Sequence, residues 1–168
     1  AEPTTEAACA ACHGALRGHD GAWRSLASCT SCHTPSMADG DTGERLAFPV
    51  LVHRIHRGAD LPSVAAGTPL RFVDDAGAAT DFSTVVFPQA IGRCTTCHQA
   101  SATWETAISR AACGACHDLT SFDGAPGPGE VAHAGGTQLD DVTCTVCHAP
   151  GGLSPVAARH APTVDARP

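Results

Sequence analysis

The sequence predicts a loop-rich fold of short α-helices with one small β-hairpin, packed around bound groups rather than around an aromatic core. Three observations carry this. First, the pentapeptide CxxCH occurs five times in 168 residues: CAACH at Cys9–His13, CTSCH at Cys29–His33, CTTCH at Cys94–His98, CGACH at Cys113–His117 and CTVCH at Cys144–His148. Second, its thiols (Cys9, Cys12, Cys29, Cys32, Cys94, Cys97, Cys113, Cys116, Cys144 and Cys147) use up all ten cysteines of the chain. Third, aromatic residues make up 4% of the chain, tyrosine is absent, and 17 Gly and 12 Pro interrupt it, too little and too broken for a conventional core.

Two thiols three positions apart can form thioether bonds to the two vinyl groups on one haem edge, and the adjacent His then reaches the iron from one face. The pattern therefore predicts five covalently bound haem c groups in one domain over residues 1–168, a multihaem cytochrome c. One haem for about every 34 residues supplies the apolar surface that the side chains lack. Other readings of CxxC fit less well. Zinc ribbons need four thiolates per metal and leave an odd pair among five. Disulfides give no reason for the following His, and a thioredoxin-like site uses one CxxC.

Five His stand outside the motifs: His19, His53, His56, His133 and His160. Five haems need five distal ligands if every iron is six-coordinate, so the count predicts bis-histidine ligation, with His13, His33, His98, His117 and His148 as proximal ligands. The competing reading is a set of surface histidines. Met37, the sole methionine, is expected to pack in a loop.

Along the chain, FPVLVHRIHRG (48–58) reads as a short helix, with Pro49 at its start and Gly58 at its stop. His53 and His56, three apart on that helix, are placed to meet two different haems. Alternatively they lie on a solvated basic helix with Arg54 and Arg57. LRFV and STVVFP, separated by DDAGAA, read as the hairpin, expected to be the sole sheet. GAPGPGE (124–130) reads as a flexible loop. An internal echo joins the two ends: CAACH, His19, CTSCH in the first part and CGACH, His133, CTVCH in the last.

The formal charge of −7 falls to about −12 with five oxidised haems, which argues against a nucleic-acid partner. No run approaches the roughly 18 apolar residues needed to span a bilayer. The start AEPTTEAAC is expected to be a processed end. Ala1 is not a lipidated cysteine, so no lipid anchor is expected.

Several segments together resemble the OmcA/MtrC family of outer-membrane decahaem c-type cytochromes of metal-respiring bacteria: LVHRIHRGADLP, DFSTVVFPQAIGRCTTCH, TWETAISRAACGACHD, and VAHAGG before CTVCH. The likeness spans about residues 9–160. Family members carry two five-haem modules alternating with β-rich domains, and most are anchored lipoproteins. The resemblance implies electron transfer along closely spaced bis-histidine haems to extracellular acceptors such as ferric oxides or flavins, and a location outside the cell or at its surface. It also implies the proximal and distal ligand sets named above. The expected activity is electron transfer rather than catalysis, with redox proteins or extracellular acceptors as partners. Two alternatives stay open: a multihaem oxidoreductase with one open iron, and a periplasmic shuttle. A head-to-tail homopolymer is a further expectation, in which His19 and His160 reach across to a neighbour's iron.

Overall fold

The structure, a computed structural model, describes residues 3–99 and 101–160; Ala1, on which the expected processed end rests, lies outside them. Helices are short. In chain order they are α1 (Glu6–His13), α2 (Leu26–Cys32), α3 (Phe48–Arg57), α4 (Pro62–Ala65), α5 (Thr103–Thr106), α6 (Arg110–Gly114), α7 (Cys144–His148) and α8 (Val156–Arg159). Four of them carry motif cysteines, and the CTTCH motif begins in a 3₁₀ turn at Cys94–Thr96.

Three motif helices start by one device. Thr5, Ser25 and Ser109 each stand four residues before the first motif cysteine, and each hydroxyl accepts the backbone N–H three residues on, of Ala8, Ser28 and Ala112. These caps satisfy N–H groups that the first helical turn leaves free, and they fix where the following cysteine pair sits.

The helix expected at 48–58 forms as α3, with Pro49 in its first turn. Gly58 ends it at φ 35°, a backbone conformation open to glycine. Gly58 is also buried where the chain returns. A Cβ there would strike the Val85 carbonyl oxygen and lie 2.7 Å from Val85 Cβ and 3.0 Å from the Phe82 carbonyl oxygen.

The hairpin forms, but with a nearer return strand than STVVFP. Strand β1 (Arg71–Val73) pairs antiparallel with β2 (Ala79–Asp81) in the register Phe72↔Thr80. The cause is the turn: Asp74 Oδ1 accepts the N–H groups of Ala76 and Ala78, closing the chain within five residues. The Phe72 and Phe82 rings then meet at 5.5 Å. Nor is the hairpin the sole sheet. A two-residue parallel pair, β3 (Thr120–Ser121) with β4 (Val131–Ala132), is linked through the irregular 124–130 loop.

Among the described residues only seven hydrophobic side chains are buried, with Leu61 and Leu70 the largest fully enclosed. Ala47, just before α3, and Val50 within it pack with Ala115, beside Ala111 of α6, in one small cluster. Leu139, Val142, Val146 and Leu153 around the fifth motif are each more than two-thirds exposed. No helix among the described residues is long and apolar enough to cross a membrane.

Candidate metal centres

The ten histidines fall into five facing pairs. Each pair joins one motif His to one of the five others. His13 faces His56 with ring centres 5.8 Å apart, His33 faces His19 at 5.9 Å, His98 faces His53 at 6.2 Å, His117 faces His160 at 6.0 Å, and His148 faces His133 at 6.0 Å. Among the described residues no hydrogen bond joins the two rings of a pair. An imidazole nitrogen sits about 2 Å from a first-row metal. Two rings approaching one metal from opposite faces therefore have centres about 6 Å apart, the separation seen in all five pairs.

Ring orientation fits as well. In seven histidines Nδ1 lies against a backbone carbonyl: His33 with Leu46 (2.8 Å), His53 with Pro49 (2.7 Å), His56 with Val52 (2.8 Å), His98 with Pro3 (2.7 Å), His133 with Gly136 (3.1 Å), His148 with Ser154 (2.9 Å) and His160 with Val156 (2.9 Å). A proton held on Nδ1 by such a contact leaves Nε2 as the lone-pair nitrogen, the arrangement of a metal-ligating histidine with its orienting partner. Burial lowers the pKa of His53, and the neighbouring His98 and His56 lower it further. Burial likewise lowers that of His117, helped by His160 and Arg57. Both shifts favour the neutral ring that binds a metal.

Local structure brings the pairs together. On α3, His53 and His56 turn to different partners, His98 and His56's own counterpart His13. The solvated-helix alternative thus does not describe their surroundings. His19 is held at φ 49°, uncommon for a residue with a Cβ, and from there meets His33. The β3–β4 pairing sets His133: its N–H donates to the Ser121 carbonyl, and its ring lies 5.2 Å from Phe122. The internal echo has a spatial counterpart, since in each unit the lone His faces the His of the motif that follows it.

The cysteines form no disulfide among the described residues. Burial raises the pKa of several, and nearby thiols of other motifs add to the rise: Cys29 at Cys9, Cys9 and Cys12 at Cys97, Cys94 at Cys116, and Cys144 at Cys113. These neighbours connect the motifs in the order second, first, third, fourth, fifth. Among the described residues no three His, Cys, Asp or Glu side chains converge as a metal cage, so the thiols do not group as zinc ribbons would require.

His19 and His160, expected to reach across to a neighbour's iron, each face a motif His of their own chain in the structure, and nothing in it supports a homopolymer. Met37 lies in the loop after the second motif, where its carbonyl accepts the Leu46 N–H. Sequence reasoning missed the supports around the histidines. The Phe48 ring lies 6.4 Å from His33 and the Phe87 ring 5.6 Å from His56, while orienting carbonyls carry no side-chain signature at all. Arg54, which the alternative of a solvated basic helix would leave in water, is largely buried against Glu44 and Asp118.

Residues 4–161 match the family described as outer membrane cytochrome MtrC/MtrF-like, domains II/IV. No curated protein matches the chain. Among solved structures, the fold is similar to that of the outer membrane decaheme cytochrome OmcA, with a TM-score of 0.68 at 22% identity over 95% of this chain. The chain spans only 24% of the length of that protein. The match over nearly its whole length identifies the chain as a member of the MtrC/MtrF-like outer membrane cytochrome family, of the domain II/IV type.

Proposed function

We propose that the chain is a five-haem electron-transfer module in which each CxxCH binds one haem and each facing histidine pair holds one iron. Haem c, when bound, supplies a one-electron couple. The protein supplies the clamp: two thiols fix the haem edge, the motif His takes one face, and the facing His closes the other. The observation that carries this reading is that all ten histidines pair one motif His with one other, at 5.8–6.2 Å. A random set of surface histidines has no reason to do so.

Closing both faces leaves no position for a substrate, which favours electron exchange over an oxidoreductase with an open iron. The nearness of thiols from successive motifs supports an electron path that runs second, first, third, fourth, fifth, with the second and fifth sites as its two ends. Entry and exit by way of redox proteins or extracellular acceptors at the cell surface fit the family. The exposed apolar residues around the fifth motif support a haem-covered or partner-covered surface there. Ligand sharing between copies is not part of this reading, since His19 and His160 are used within the chain.

Intact-mass measurement tests the cofactor count. The expected product exceeds the apoprotein by five haem units, about 3 kDa. A mass at or near that of the apoprotein, with zinc present, would overturn the proposal.

A further inference from the structure

One buried cation is not accounted for by ligation. Arg54 sits between His53 and His56 on α3, yet its side chain is only 12% exposed. Its Nη2 donates to Glu44 Oε1 at 3.0 Å and lies 3.5 Å from Asp118 Oδ2. Its Nε–H is buried and meets no acceptor among the described residues. A charged donor shut away from water without a partner is costly, and a folded chain rarely leaves one so.

The surroundings say what kind of acceptor belongs there. Glu44 stands two residues before Leu46, whose carbonyl orients His33 of the second site. His53, next to Arg54, belongs to the third site, and Asp118 directly follows His117 of the fourth. Asp118 is itself anchored by the backbone N–H and hydroxyl of Ser63, so it is not free to swing onto Nε. The guanidinium thus lies where the supports of three sites converge, with two carboxylates beside Nη2 and the buried Nε–H left without an acceptor among the described residues. A guanidinium donor selects an anion, and a carboxylate gives it a strong, charge-assisted bond.

We propose that Arg54 Nε donates to a propionate carboxylate of the haem at the second, third or fourth site, making Arg54 the anchor of that propionate and the residue that holds that haem's potential up. This rests on the five-haem reading. A fixed cation beside a haem favours the reduced form, which carries one positive charge fewer.

The test uses the holoprotein with R54Q and R54K. Haem content and ferric spin state are measured first, so that loss of haem from the unmodified protein would count against the underlying reading and not against Arg54. Optical redox titration then gives the potentials. In R54Q, one of the five potentials should fall while the spin state stays unchanged. R54K keeps the charge without an N–H at the Nε position, so it should recover part of the shift. Unchanged potentials in R54Q, or full recovery in R54K, would overturn the proposal. If R54Q fails to assemble, R54K decides alone: wild-type potentials overturn the proposal, and one lowered potential supports it. Repeating the titration in H19A, H53A and H160A backgrounds labels the second, third and fourth sites in turn by a high-spin band. A shift confined to some other haem would also overturn it.

Discussion

Replacing Gly58 by Ala tests how the ligand-bearing helix is seated. Gly58 closes α3 directly after His53 and His56, at φ 35°, with its Cα turned against the returning segment that leads to Phe87. Two costs arise. Placing a Cβ on a backbone of this kind costs about 1–3 kcal/mol. The same Cβ meets the Val85 carbonyl, lies 2.7 Å from Val85 Cβ and 3.0 Å from the Phe82 carbonyl. These are backbone and branched atoms that cannot swing aside, and overpacking of this kind costs a further 1–3 kcal/mol or so. Together they amount to about 2–6 kcal/mol, or roughly 5–20 °C in the melting temperature of a domain this size. Gly67, at φ 96° with open space around its Cβ position, serves as the control, where only the backbone cost applies. Melting of the holoprotein, followed by far-ultraviolet circular dichroism and by the Soret band, gives both shifts. A G58A protein that melts within 2 °C or so of wild type, or no lower than G67A, would refute the close seating of α3.

Three other outcomes are expected. In H56A, the site of His13 should lose its second ligand, so that EPR of the ferric protein shows one haem in five high-spin and the other four unchanged; H53A should do the same at the site of His98. In H19A the high-spin fraction should again be one in five and should not vary with protein concentration, because His33 is matched within its own chain; a concentration-dependent fraction would revive ligand sharing between copies. Finally, side-chain and backbone hydrogen bonds from Arg110 hold the Asp141 carboxyl below its ordinary value, tying α6 to the segment before the fifth motif. A depressed carboxylate contributes stability that is present above its unfolded pKa and disappears as pH falls through the folded one. D141N should therefore melt below wild type near neutrality, with the difference closing below about pH 4; a difference that persists there in acid would contradict this.

How far the sequence reached depends on the range of the interaction. The thiol and His spacing of each CxxCH acts within five residues, so the five motifs stand out from the chain alone. Helix α3 was equally legible, because Pro49 and Gly58 mark its ends. The pairing of histidines was not, since His13 and His56, or His117 and His160, meet only through the folded chain. The return strand was placed too late because Asp74's side chain, rather than the strand propensity of STVVFP, sets the turn. The parallel β3–β4 pair is two residues long and has no periodicity to detect. The burial of Arg54 has no signal in the helix sequence, because Glu44 and Asp118 arrive from distant segments to cover it.

The most direct test of the central claim is quantitative EPR of the fully oxidised native protein, with its haem content fixed by mass. Five facing histidine pairs predict that all of the iron is low-spin, with no site left five-coordinate. A high-spin signal accounting for one-fifth of the iron or more would mean that at least one pair does not clamp its metal, and would contradict the account.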